Sequence, residues 1–412
     1  MKRIGKITGC ILCVWLLVSV VTFVAGCDSG ADRGLAPVRD WVDVTTYNDG
    51  EALDAYLQPI WYTREVYDET VVIVGTEGSA TLLYQPNGEK FVVRNYELNV
   101  TYVEGVDYTV DGSTIKRVAG GNLPYFEVDE YFLTEPADIT ITIDPSKCEF
   151  DFDEERYLCH AEWTLPKLHY VAVSYTTDEA WTGFVPSAQT AKTSKFIDKL
   201  KNDKSGRILY YGDSLTTGAS ASGTFNGGFI NPYLPPWTEL VARWLANKYD
   251  AEINVINNAE GGWHAIHGLV NFDELVLPYA AQTDLLVLAF GMNDVATPRE
   301  EYLSETREMA ERYLEANPDG TVVLVSSMNP NSQSTWVGNQ QYFEKDLQKI
   351  AKGNGSIAIA EVNSMFCALE QTGKRSRDWF ANNINHPNDF GVRVYAQVIL
   401  KTILGDDYIT GK

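Results

Sequence analysis

The sequence predicts an α/β protein in which a parallel sheet, covered by helices on both faces, follows an antiparallel β-sandwich. Two features of the 412-residue chain predict this. Up to about residue 175, apolar and polar residues alternate in short runs broken by Gly, Asn and Asp, the period of half-buried strands. Beyond Gly206, near-continuous apolar runs of strand length alternate with amphipathic segments of helix length, the pattern of strands buried on both faces. The change of character near 175–205 divides the chain into two domains, for which its length suffices.

The first element is a targeting segment, residues 1–26. Lys2, Arg3 and Lys6 make a basic start, and an apolar run from Ile11 to Val24 follows. Val24-Ala25-Gly26-Cys27 then reads as a bacterial lipobox, with Cys27 as the lipidated first residue of the mature chain. The alternative is an uncleaved anchor, for which the apolar run is short. The lipobox predicts an extracytoplasmic protein, lipid-anchored to the bacterial cell membrane. Residues 27–36 form a tether.

Residues 37–176 are the β-sandwich. Its expected strands include Glu69–Val74, Ala80–Tyr84, Lys90–Val93, Asn99–Val103, Ile139–Ile143 and, among the last, His169–Tyr175. Pro86-Asn87-Gly88, Val110-Asp111-Gly112 and Ala119-Gly120-Gly121 supply turns. Residues 177–205 connect the domains and carry helical periodicity over Ser187–Asn202. In 206–412 the strands read Ile208–Tyr211, Ile253–Asn257, Leu285–Phe290, Val322–Ser326 and Ile357–Val362. The helices read Trp237–Tyr249, Arg299–Ala316, Gln340–Lys352 and Gly391–Leu404.

The formal net charge of −23 disfavours nucleic acid and polyanions and favours neutral substrates. Cys148 and Cys159 flank an acidic segment. They either bridge two hairpin strands in an oxidising compartment or are two free, buried thiols. Cys367 reads as a core residue of an amphipathic helix. No Cys/His spacing marks a zinc site, and neither a metal nor a cofactor is expected.

Four short blocks carry chemistry. Ser214, in Gly212-Asp213-Ser214-Leu215, follows a strand and opens a turn or helix, where a serine is either a nucleophile or an ordinary N-cap. Gly262, after the run ending at Asn257, lets a carbonyl approach the backbone and offers an N–H. Asn293, in Gly291-Met292-Asn293-Asp294, offers a side-chain amide or an Asx turn. His386, in Asn385-His386-Pro387-Asn388-Asp389, is one of five histidines and the candidate base, and Asn388 or Asp389 can cap the helix beyond. In a parallel sheet, loops at the carboxyl ends of strands share one edge, which brings the four together. Nucleophile, base and donors to an oxyanion are the parts of ester hydrolysis.

These four blocks, in this order, resemble the SGNH (GDSL) hydrolase family over about 206–405, roughly half the chain. The resemblance implies a flavodoxin-like α/β/α fold. It implies Ser214 as nucleophile and His386 as general base. The Ser214 and Gly262 N–H groups and the Asn293 amide would form the oxyanion hole. One position departs from the family pattern: Asn383 stands three residues before the histidine, where the family has Asp. An amide does not stabilise an imidazolium as a carboxylate does. Asp378 is the candidate orienter in its place. Otherwise a backbone carbonyl holds the imidazole in a Ser–His dyad, or the site is impaired.

Trp263 and His264, beside the oxyanion glycine, are candidate substrate-binding residues. The loop Ala219–Pro236 adds Phe225, Phe229 and Tyr233, aromatic faces that suit sugar rings and acyl groups alike. A secreted β-sandwich ahead of such a domain is similar to bacterial two-domain carbohydrate O-acetylesterases. The expected substrate is therefore an acetylated glycan or another small acyl ester. A general short-chain esterase or lipase, or a glycan-binding lipoprotein without activity, remain as alternatives. Oligomeric state has no signature in the sequence.

Overall fold

The computed structural model describes residues 35–410, apart from 138 and 163. The targeting segment, Cys27 and most of the tether lie outside the described residues. Among those described, no helix is long and apolar enough to cross a membrane.

The N-terminal region is antiparallel. Strands β1 (Glu65–Val72), β2 (Ser79–Thr81), β3 (Pro86–Asn95), β4 (Tyr108–Asp111), β5 (Thr114–Arg117), β6 (Phe132–Leu133), β7 (Tyr157–Leu158) and β8 (Tyr170–Thr177) form three small sheets. Their orders are β1-β8-β3, β2-β5-β4 and β6-β7. Gly112, at φ +59°, turns the β4–β5 hairpin. The two larger sheets meet through Phe91, whose ring lies 5.9 Å from Tyr108 and 6.1 Å from Tyr175. The expected strands at 99–103 and 139–143 make only isolated bridges. Val100, Val103 and Ile139 stay exposed there while Tyr102, Ile141 and Ile143 are buried, so the alternation has a covered face but no continuous strand partner.

The second half is a five-stranded parallel sheet of β9 (Ser205–Gly212), β10 (Glu252–Asn257), β11 (Leu285–Ala289), β12 (Thr321–Val325) and β13 (Ile357–Ala360), in the order β10-β9-β11-β12-β13. This is the flavodoxin-like order, with its switch point at β9. Strand residues alternate between two cores. Ile208, Tyr210, Leu285, Val287, Val323 and Ala358 face the helices Thr190–Asp203, Trp237–Tyr249 and Asp389–Leu404. Leu209, Tyr211, Leu286, Leu288, Val322 and Ile357 face Arg299–Ala316 and Gln340–Gly353. The apolar run at 253–257 becomes an edge strand, and Val255 is exposed. The helix of the connector, Thr190–Asp203, packs against β9, β12 and β13.

Helix Asp389–Leu404 explains how the halves join. All 16 of its residues are buried. Asp389, Arg393, Gln397 and Lys401 recur every four residues and so share one face. Such a stripe ordinarily faces water. Here the N-terminal region covers much of it and answers its two central residues. Arg393 donates to the carbonyls of Tyr67 and Asp68, both at 2.7 Å. Gln397 donates to those of Tyr56 and Gln58, at 3.1 and 2.8 Å. Residues from Leu35 onward accordingly form one compact unit, and one core takes Val71, Val173 and Ile115 together with Val392, Ile399 and Ile403.

A buried ion pair reinforces the join. Lys374 Nζ donates to Glu69 Oε1 on β1 at 2.6 Å, with both side chains wholly buried. Removing one partner strands the other charge, so Lys374→Met is expected to cost about 3–5 kcal/mol. Urea unfolding of the variant beside the parent protein checks this.

Candidate active site

Strand β9 ends at Gly212, and the chain turns at once into the short helix Ser214–Thr217. Only glycine fits the turn. A Cβ at 212 would stand 2.3 Å from Thr216 Oγ1 and 2.4 Å from the Ala289 carbonyl oxygen. Asp213 caps the helix: its carboxylate accepts from Leu215 N–H at 3.0 Å and from Met292 N–H at 3.2 Å. Burial pushes its carboxyl up to about 7 despite those two bonds. Asp213 thus serves as a fixed acceptor that ties the Ser214 turn to the loop after β11.

The loop after β10 runs alongside. Glu260 N–H donates to the Gly212 carbonyl at 3.0 Å. A Cβ on Gly261 would lie 3.9 Å from that of Ser214, and Gly262 adopts φ +78° with open space where its side chain would stand. The Asn293 amide donates to the Trp263 carbonyl at 3.0 Å, which fixes its rotamer and leaves its second N–H uncommitted to that bond.

His386 comes from the loop before helix Asp389–Leu404. Asn382 shapes that loop, its Oδ1 accepting from the N–H groups of Ile384, Asn385 and His386 at 3.1, 3.0 and 2.9 Å. Asn388 caps the helix through Gly391 N–H at 3.1 Å. The imidazole Nε2 stands 3.0 Å from Ser214 Oγ, and Nδ1 stands 3.0 Å from Glu162 Oε2. Burial raises the Glu162 carboxyl, but its bond to His386, the His386 charge and a bond from Ser220 outweigh it and hold the group at about 2. An ionised carboxylate only accepts, so Nδ1 carries the proton and Nε2 is left to accept from serine.

Residues 210–394 match the family model for the GDSL-like lipase/acylhydrolase family. The chain carries a GDSL-like hydrolase domain. No curated protein matches the chain. Among solved structures, a two-domain esterase (CEX) active on acetylated mannans is 20% identical, with a TM-score of 0.41, over 50% of this chain and 52% of that one. The chain thus matches about half the length of that esterase. Axe2, an acetylxylan esterase from Geobacillus stearothermophilus, is 18% identical, with a TM-score of 0.40, over 50% of this chain and 97% of that one. LAE5, an α/β hydrolase enzyme from the metagenome of Lake Arreo, Spain, is 17% identical with a TM-score of 0.39, over 47% of this chain and 93% of that one.

Within the GDSL-like domain, the structure brings Ser214 and His386 together and sets the Gly261-Gly262 and Asn293 loops beside them. It does not bring Asp378 to His386. Asp378 is buried, and its Oδ1 accepts from Val72 N–H on β1 at 2.8 Å. Its Oδ2 accepts from Arg375 N–H at 3.2 Å and lies 3.6 Å from Lys374 Nζ. It anchors the N-terminal region and does not orient the imidazole. A dyad held by a backbone carbonyl is also not what the structure shows, since Nδ1 meets Glu162.

Trp263 is half-buried, with its ring edge-on to Tyr211 at 6.3 Å. His264 N–H donates to His267 Nδ1 at 3.0 Å, and its own Nδ1 lies 3.6 Å from Asp294. Cys148, Cys159 and Cys367 are free thiols. Burial pushes Cys159 up to about 12 and Cys367 up to about 11.

The residue that sequence reasoning missed is Glu162, 224 positions before His386. Its one indirect signal is Asn383, which announces a missing carboxylate without locating it.

The ordinary carboxyl value for Glu162 is 4.5, and the folded value is about 2. A lowered folded value contributes stability that is complete above the ordinary value and fades as pH falls through the folded one. Unfolding free energies at several pH values between about 2 and 6 should therefore fall more steeply with acid in the parent protein than in Glu162→Gln. Parallel curves would contradict this.

Proposed function

We propose that this protein is a lipid-anchored, extracytoplasmic serine esterase that removes small acyl groups, acetyl foremost, from carbohydrate. One observation carries the hydrolase reading: Ser214 Oγ lies 3.0 Å from His386 Nε2 at the switch point of a flavodoxin-like sheet. The match of 210–394 to a GDSL-like acylhydrolase model supports the same reaction class.

In this reading His386 Nε2 takes the Ser214 proton as Oγ attacks the acyl carbon. Ser214 N–H, Gly262 N–H and the uncommitted Asn293 N–H receive the oxyanion. The imidazolium then protonates the departing sugar oxygen, leaving acyl-Ser214. Water, deprotonated by the same imidazole, releases the carboxylic acid and restores the serine.

The carbohydrate assignment is supported by the loop after the nucleophile. Phe225, Phe229 and Tyr233 are 80%, 59% and 51% exposed, an unusual outlay of aromatic surface for one loop. Anchoring rests on the lipobox at Cys27, and replacing that cysteine with alanine should move the protein from the membrane to the soluble fraction.

The deciding experiment is acetate release from p-nitrophenyl acetate by the chain starting at Asp28, beside its Ser214→Ala variant. The expected loss is roughly 10⁴-fold or more. Equal rates in the two proteins would sink the serine mechanism. Release of acetate from acetylated polysaccharides then tests the substrate class, and activity on simple esters alone would leave a general short-chain esterase.

A further inference from the structure

We infer that the N-terminal β region is a working part of the catalytic site: it lends Glu162 as the positioning residue for His386, in place of a carboxylate at position 383. The inference rests on the serine esterase reading and adds to it a second region of the chain.

Glu162 is borne by the segment between β7 and the helix Thr164–His169. Its carboxylate has a built seat. Ser220 Oγ donates at 2.9 Å to Oε2, the oxygen that faces His386. Ser220 is itself buried, and its backbone is held at φ +68°, a conformation uncommon for a residue with a side chain. On the other oxygen, Asn382 Nδ2 lies at 3.5 Å and His160 Nε2 at 3.8 Å. Among the described residues, Glu162 is the carboxylate paired with His386.

Position 383 cannot take this role, because its side chain is committed elsewhere. Asn383 is wholly buried at φ +66°. Its Oδ1 accepts from Tyr131 OH at 2.8 Å and from Asn331 Nδ2 at 3.1 Å. Its Nδ2 donates to the Cys159 carbonyl at 3.1 Å. Three residues beyond Cys159 stands Glu162, and three beyond Asn383 stands His386. The amide contact therefore sets two segments side by side in the register that pairs carboxylate with imidazole. A carboxylate at 383 would face the Cys159 carbonyl with no hydrogen to donate. The departure from the family pattern is thus what allows the acid to arrive from another region.

The test compares Glu162→Gln, Asn383→Asp, the double variant and Ser220→Ala in the full mature chain, with kcat, KM and pH profiles. Glu162→Gln should lower kcat by roughly 10³–10⁴-fold with a changed pH profile and little change in KM. Ser220→Ala, which loosens the carboxylate without touching the imidazole, should cost several-fold in kcat. Asn383→Asp should lower activity and should not rescue Glu162→Gln. A low-field imidazole N–H proton resonance, present in the parent and in Ser214→Ala, should vanish in Glu162→Gln. That signal reads the pairing even if the esterase reading fails, whereas inactive Ser214→Ala together with Glu162→Gln at near-parental kcat and pH profile would overturn the inference alone. Rescue of Glu162→Gln by Asn383→Asp would also overturn it. Circular dichroism confirms that each variant is folded.

Discussion

Arg393 lies beneath the N-terminal region, and its charge has to be answered there. A buried guanidinium without acceptors is costly. The carbonyls of Tyr67 and Asp68 answer it where β1 changes register between Val66 and Glu69. Gln397, one turn on, imposes the same demand on Tyr56 and Gln58. These bonds are directional, so they fix where β1 sits, not merely that it is covered. With β1 placed, β8 follows by pairing, and the segment before β8 carries Glu162. The geometry at His386 is therefore downstream of a polar stripe on the last long helix.

The carboxylates around the site are sorted by environment. Asp213 and Asp389 are fully enclosed, and burial pushes them to about 7 and about 6. Asp294 is raised by the same cause. These groups accept backbone N–H bonds and hold loops, as Asp294 does for Ala265 and Asp389 for Ser222. Glu162 alone among these four is driven the other way, to about 2, because its neighbours favour the charged form. A group meant to steady an imidazolium must be ionised throughout the working range, and a group meant to hold a loop need not be. The split follows from the balance of terms: burial outweighs the favourable bonds at Asp213, Asp294 and Asp389, and the His386 and Ser220 bonds outweigh burial at Glu162.

Much of this was legible in the sequence, for local reasons. Trp237–Tyr249 and Arg299–Ala316 match their expected limits because Pro236 and Pro298 mark their starts and their periodicity is strong. Ser214, Gly262 and Asn293 were legible because each follows a strand in a sheet whose topology gathers strand ends. What local pattern could not show was which surface another segment would cover. The stripe of Asp389, Arg393, Gln397 and Lys401 reads as a solvated face and is a buried one. The run at Ile253–Asn257 reads as buried and lies at the sheet edge. Asp378 was the nearest carboxylate in sequence to Asn383, yet proximity along the chain carried no information about proximity to His386. Glu162 was unreadable for the converse reason.

Asn383 is where folding and chemistry meet. Its surroundings offer two donors, Tyr131 OH and Asn331 Nδ2, and the Cys159 carbonyl as the nearer acceptor, with the Cys159 sulfur at 3.4 Å. An amide satisfies both donors and the carbonyl at once, and in full burial an unmatched group would carry its whole desolvation penalty. Aspartate would satisfy the donors and leave the carbonyl facing a charge. The position therefore favours the residue that clasps the N-terminal region over the residue that would orient the histidine directly. Such an exchange is workable only because the clasp delivers a carboxylate of its own. It also means that the parallel sheet with its loops, taken without residues before 177, holds a serine and a histidine but lacks the charge that steadies the imidazole. In that reading, docking of the two regions and assembly of the catalytic site are one event, with Arg393, Lys374 and Asn383 as points of attachment.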